Sequence, residues 1–212
     1  MSKSDREYRA MSMAIEKREE GDEAMTVIGY ASTFDEPYKL WGDDEVEVWE
    51  QVDRRAFEET DMEDVIMQYD HQGRVFARKR NNTLTVEPDE VGLFVRADLS
   101  GTEIGRNLYE EIAGGYTDRM SFGFTVAADE QLRTEEDGKI KVLRTITKIG
   151  KLYDVSAVSL PANPGTSISA RFLDGAIEEA RTERSRLLEL EEKRQAVIEK
   201  AKRVRGEEID ND

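Results

Sequence analysis

Met120-Ser121-Phe122-Gly123-Phe124-Thr125-Val126 is the stretch on which the fold turns. Large apolar residues hold every second position, and small or polar ones sit between them. A period of two puts these sets on opposite faces of a β-strand. Met120, Phe122, Phe124 and Val126 form a core-facing side, and Ser121, Gly123 and Thr125 a less apolar one. Downstream, Asp137-Gly138 is a hairpin turn signal between Leu132 and Val142. Asp154 to Leu160 reads as another strand, stopped by Pro161-Ala162-Asn163-Pro164-Gly165.

Upstream of the key strand lies a helix. Thr102 is placed to cap it, and Glu103 suits the partially positive first turn. Ile104, Leu108 and Ile112 make one apolar stripe, and Gly114-Gly115 ends it. Earlier still, Met25 to Phe34 is rich in β-formers and is broken by Asp35-Glu36-Pro37. Val46, Val48 and Val52 mark a second strand, and Asp53 to Phe57 a short capped helical turn. Val65 to Tyr69 is an apolar strand ending at Asp70-His71. Thr83–Val86 and Val91–Leu99 read as paired strands around Pro88-Asp89-Glu90. The expected class is therefore α+β, mostly β with packed helices. Residues 1–24 are polar and read as a flexible segment, and 25–172 as the folded domain.

Residues 173–212 differ in kind. Leu173, Ala176, Ala180, Glu183, Leu187, Leu190, Arg194, Val197, Ala201 and Val204 are spaced alternately three and four apart, as in a heptad seam. The positions between are rich in Glu and Arg, which support i,i+4 pairs. This is a charged C-terminal helix, for which docking on its own domain and self-association both remain open.

Composition excludes several chemistries. The chain has 212 residues, no cysteine, one histidine and a formal net charge of −16. No disulfide framework, thiolate nucleophile or zinc–thiolate site can be built. One histidine excludes a multi-histidine metal site within one chain, so no metal or cofactor is expected. The acidity argues against direct nucleic-acid binding, which needs a basic footprint. No apolar run approaches the roughly 18 residues of a membrane span, and the start has no apolar signal core. The expectation is a soluble intracellular protein.

Three residues stand out chemically. His71, the sole histidine, sits at the polar end of a strand, where scaffolds present functional groups, and its type suits proton transfer. Ser121 lies on the less apolar face of its strand beside Gly123, which leaves space for a substrate, although by itself it reads as a small polar filler on a half-buried strand. No G-x-S-x-G elbow is present, which disfavours an α/β-hydrolase. Asp154 opens an otherwise apolar or small strand, where a carboxylate is costly unless paired. It could bond turn amides or orient a histidine. Arg74, Arg78, Lys79 and Arg80 form a basic cluster near His71. Arg119 could bind substrate or pair with Asp118, and Glu110 or Glu111 is an alternative orienting acid.

These spacings carry a resemblance. D-H-Q-G at 70–73, D-R-M-S-F-G-F at 118–124 and Y-D-V-S-A-V-S-L-P-A-N-P at 153–164 resemble the signature blocks of the tailed-bacteriophage prohead (capsid maturation) serine protease family. I-G-Y-A-S-T-F at 28–34 and W-E-Q-V-D-R-R-A-F at 49–57 resemble its opening blocks. The similarity covers about residues 25–172. It implies a serine endopeptidase related to the herpesvirus assemblin type, with a mainly β barrel or half-barrel surrounded by helices. It also implies Ser121 as nucleophile and His71 as general base. The herpesvirus enzymes carry a second histidine where this chain has Asp154, and a carboxylate can serve there. An oxyanion hole near Ala162 and Asn163 is implied in the same way.

The resemblance further implies cleavage of a scaffold protein, or of the scaffolding segment of the major capsid protein, and self-cleavage. The place of action would be the procapsid, in the bacterial host cytoplasm, with a homodimer or homo-oligomer as the working form. Two rivals remain open on sequence alone. One is a non-enzymatic scaffold or assembly module that uses the C-terminal helix; the other is an esterase-like hydrolase with the same dyad.

Overall fold

The computed structural model describes residues 6–11, 16–17, 25–159 and 170–205. Its spine is one long hairpin. Strand β10 (Arg119–Glu136) and strand β11 (Lys139–Val158) run antiparallel from the Met120 stretch to the Asp137-Gly138 turn and back. Asp137 and Gly138 have φ of 52° and 74°, both left-handed, as a two-residue type I′ turn demands. The turn forms where the sequence places it, but Asp154 does not open a separate strand. Lys139 to Val158 is instead continuous, and Leu160 lies outside the described residues. Register shifts between Gly123 and Phe124 and between Thr125 and Asp129 mark bulges, which bend the hairpin without ending it.

A strand this long serves two partners in series. The first half of β11 pairs in parallel with β5 (Val46–Val52), which is bordered by β4 (Tyr38–Gly42). Its last part, Asp154 to Ala157, pairs in parallel with β6 (Ile66–Tyr69), which turns back into β7 (Gln72–Arg78). On the other side, β10 is bordered by β1 (Glu7–Met11). A second sheet is antiparallel, in the order β2 (Glu16–Lys17), β3 (Thr26–Thr33), β9 (Gly92–Asp98), β8 (Leu84–Pro88). Helix α1 (Glu103–Ala113) starts at Thr102, whose side chain accepts from the Gly105 N–H as expected.

The alternation in the opening stretch is real, and it points Met120, Phe122 and Phe124 into the core between the sheets, each fully buried. Phe122 and Phe124 stack at 4.5 Å, and Phe57 meets Phe122 at 6.2 Å. The two rings and their neighbours bury enough apolar area to hold the sheets together.

Two further expectations change. The class is α+β and mainly β, but among the described residues the sheets stay open and no barrel closes. Asp53–Phe57 forms the short capped turn expected of it, with the Ala56 N–H bonded to the Asp53 carbonyl and the Arg55 N–H to Asp53 Oδ1. Within the segment read as flexible, Glu7–Met11 and Glu16–Lys17 are strands.

Helix α2 (Ala170–Arg205) divides the heptad seam. Leu173, Ala176 and Ala180 are buried against Leu40, Val46, Val48, Ile140 and Val142. From Leu187 on the seam is open, with Leu190 52% and Val197 68% exposed. The side chains of Ala201 and Val204 fall outside the described part. Small alanines let the helix approach the sheet closely, which explains why they occupy the docked half.

Candidate active site

Two turns and two strands bring Ser121, His71 and Asp154 together. Asp70-His71 is a two-residue connection between β6 and β7, flanked by the pair Tyr69 and Gln72. Both residues are left-handed, at φ 46° and 58°. This is again a type I′ geometry, here without glycine, and a non-glycine residue pays about 1–2 kcal/mol to adopt it. Aspartate tolerates the region well; histidine is held there by its bonds. Its backbone N–H donates to Ser156 Oγ at 3.2 Å, and the Asp70 N–H donates to the Ala157 carbonyl at 3.0 Å.

Ser121 and Gly123 of β10 stand opposite Ser156 and Asp154 of β11. The imidazole bridges the two strands. His71 Nδ1 lies 2.5 Å from Asp154 Oδ1, and Nε2 lies 2.6 Å from Ser121 Oγ. Asp154 Oδ1 also accepts from Ser156 Oγ at 3.1 Å. That acceptor pattern favours the tautomer with the proton on Nδ1, which leaves Nε2 free to take a proton from the serine. Ser121 and Asp154 are each 1% exposed, so the array is dry and its electrostatics are little screened.

Gly123 has a role the sequence reading misassigned. The space beside it is filled by this chain. A Cβ there would lie 2.4 Å from Asp154 Oδ2 and 2.8 Å from the Tyr8 ring. Glycine is what lets the orienting carboxylate close on the strand. Asp154 Oδ2 has no hydrogen-bond partner among the described residues, and its nearest cation is Arg6, at 3.8 Å.

The remaining candidates fall as follows. Arg119 shares the Ser121 face of β10 and sits 3.6 Å from Asp118. Glu110 and Glu111 are exposed on α1. In the basic run, Arg78 and Arg80 both pair with Asp64. Tyr69, Gln72 and Gly73, which flank His71, line a cleft of about 520 Å³ together with Arg74, Phe76 and Leu108. Ala162 and Asn163 lie outside the described residues. Among the described residues no cluster of His, Asp and Glu is arranged to hold a metal ion, and no helix is long and apolar enough to cross a membrane.

Residues of β1 escaped the sequence reading altogether. The Arg9 carbonyl accepts from Ser121 Oγ at 2.6 Å, and the Tyr8 ring lies 4.3 Å from the His71 ring. Glu7 and Arg9 point inward to a buried ionic cluster with Glu50, Arg144 and Tyr38. Charged residues turned inward invert the usual alternation, so no apolar pattern announces this strand. Burial would raise Glu50, but the Arg9 and Arg144 guanidiniums outweigh it and hold the carboxyl below its usual range. Burial, helped by the Glu50 charge, pushes the Tyr38 hydroxyl well above its ordinary value.

Among known proteins, the family model for the caudovirus prohead serine protease matches residues 12–179. No curated protein and no solved structure matches the chain.

Proposed function

Because the chain belongs to the caudovirus prohead serine protease family, we propose that its serine endopeptidase activity runs on Ser121, His71 and Asp154 and serves capsid maturation by cutting a scaffold protein or the scaffolding segment of the major capsid protein. One observation carries the reading: the only histidine lies between a buried carboxylate at 2.5 Å and a strand serine at 2.6 Å.

In this mechanism Ser121 Oγ attacks the scissile carbonyl carbon while its proton passes to His71 Nε2. Asp154 holds the Nδ1 proton and stabilises the imidazolium. The negative charge gathers on the former carbonyl oxygen, where backbone N–H groups contribute several kcal/mol. By family likeness we assign these to the segment at Ala162 and Asn163. Collapse breaks the C–N bond, and the leaving amine takes the Nε2 proton. Water then repeats the sequence on the acyl-enzyme, regenerating Ser121 and releasing the carboxylate. Arg119, on the Ser121 face of β10, is assigned to substrate binding.

The same reading places the enzyme inside the procapsid in the host cytoplasm, cutting itself as well as its substrate, as a homodimer or homo-oligomer. The test is co-expression with the neighbouring capsid protein, comparing wild type with Ser121→Ala. Shortened capsid protein with wild type alone is expected, and N-terminal sequencing of the products reads the cleavage rule. Identical products from both chains would overturn the assignment.

A further inference from the structure

The N-terminal strand lies across all three members of the site. Arg6 reaches to 3.8 Å from Asp154, with its guanidinium 3.7 Å over the Tyr153 ring. Tyr8 packs on His71, and the Arg9 carbonyl takes the Ser121 hydrogen bond. Ser121 has a single hydroxyl proton and two acceptors at 2.6 Å, His71 Nε2 and the Arg9 carbonyl. Catalysis needs the first acceptor. A substrate carbonyl also needs the space that the Arg9 main chain fills, since Ser121 is only 1% exposed.

The strand is seated as a bound peptide would be. It pairs antiparallel with the edge of β10, from Glu7 opposite Phe124 to Met11 opposite Met120. Backbone bonds of this kind give affinity without regard to sequence, and side-chain pockets add the specificity. Here the pocket is ionic. Glu50, fully buried, accepts from Arg9 Nε at 2.5 Å and from Arg9 Nη2 at 2.9 Å, a two-point match to a planar guanidinium. Arg144 Nη1 lies 3.0 Å from both Glu7 and Glu50, and its Nε donates to Asp129 at 2.9 Å. Glu7 and Arg9 enter as a neutral pair, so the cluster keeps the same net charge with the strand in or out.

We infer that the edge of β10 beside Ser121 is a binding site for an extended, arginine-bearing peptide strand, filled in the intact chain by its own residues 6–11, so that the triad is assembled but closed until that strand leaves. The inference rests on the reading of Ser121 as the nucleophile. It gives the buried Glu50 a second task beyond stability, the recognition of an arginine side chain.

The test measures the rate at which a fluorophosphonate labels Ser121 in full-length chains. Arg9→Glu sets two carboxylates, Glu7 and the new one, beside Glu50 with Arg144 alone to balance them, and should expel β1, which raised amide hydrogen exchange at residues 119–124 would report. Labelling at least tenfold faster than in wild type is expected. A second variant, Met11→Cys with Met120→Cys, joins two residues that face each other across the ladder, a spacing a disulfide spans. The natural chain has no cysteine, so reductant acts on this bond alone. The oxidised form should label at less than one-tenth of its reduced rate. A hexapeptide of residues 6–11 should slow labelling of the Arg9→Glu chain, and the same peptide with Gln at the position of Arg9 should not. Released β1 with unchanged labelling, or equal labelling of the oxidised and reduced forms, overturns the inference and leaves the nucleophile assignment standing. Released β1 with no labelling of Ser121 overturns both.

Discussion

In the proposed triad Asp154 and His71 divide the work, and substitutions separate their parts. Asp154→Asn keeps the shape but offers an amide where a carboxylate accepted the Nδ1 proton. The imidazole then favours the wrong tautomer, and we expect turnover to fall by about two to four orders of magnitude, read as kcat on a capsid-derived peptide. A smaller loss than for Ser121→Ala fits the orienting role, and no loss would place the orienter elsewhere. His71 also stores strain at φ 58°. His71→Gly and His71→Ala delete the same side-chain bonds, but only glycine relaxes the left-handed backbone. The glycine variant should be more stable by about 1 kcal/mol in urea unfolding, with both inactive. Equal stabilities would deny the strain.

At the scale of elements, the docked half of α2 is held partly by charge. Backbone N–H bonds from Glu45, and then from Val46, together with the Arg181 guanidinium, push the Asp43 carboxyl down to about 2. A depressed acid stabilises above its unfolded value of about 4 and loses that stabilisation as pH falls through the folded one. Acidification from pH 4 toward 2 should therefore loosen the Asp43–Val46 turn first and with it the Arg181 tie to α2, changing the fluorescence of Trp41, which packs on that apolar cluster. Asp43→Asn should lack this acid step; an unaltered step would assign it to another group. How far such elements could be read from sequence depended on whether burial left a pattern. The Met120–Val126 alternation, the Thr102 cap and the Asp137-Gly138 turn each carry a local signal, and each forms as read. Strand β1 carries none, because its inward residues are Glu7 and Arg9, which pair with each other and with Glu50 and Arg144 far along the chain. The continuity of β11 was hidden too, since what carries it from Lys139 to Val158 is pairing with β10 along its whole length, while β5 and β6 cover only its two ends.

For the whole molecule, the buried ionic cluster ties β1, β5, β10 and β11 into one unit. Glu50, held low, stabilises above its unfolded value of about 4.3, and that contribution is lost as pH falls through the folded value. Tyr38, held high, stabilises below about 10, and that contribution is lost as pH rises through its folded value. The cluster's contribution to thermal stability should thus hold between these limits and fall on both sides, a dependence that Glu50→Gln removes on the acid side and Tyr38→Phe on the alkaline side. Glu50→Gln should cost about 3–5 kcal/mol at neutral pH, because it leaves buried guanidiniums short of a partner. A cost under about 1 kcal/mol would show the cluster to be open to water.

The histidine of the proposed site was legible through scarcity. With no cysteine and one histidine, a serine–histidine pair could only use His71, whereas Ser121, one serine among many, was singled out by the resemblance carried by D-R-M-S-F-G-F at 118–124. The closure of the site by β1 was not legible. The central claim is therefore tested by mapping the fluorophosphonate adduct on the Arg9→Glu chain by peptide mass spectrometry. The account predicts a single adduct on Ser121 that disappears in the added His71→Ala background. An adduct on another serine, or labelling of Ser121 that survives loss of His71, would contradict it.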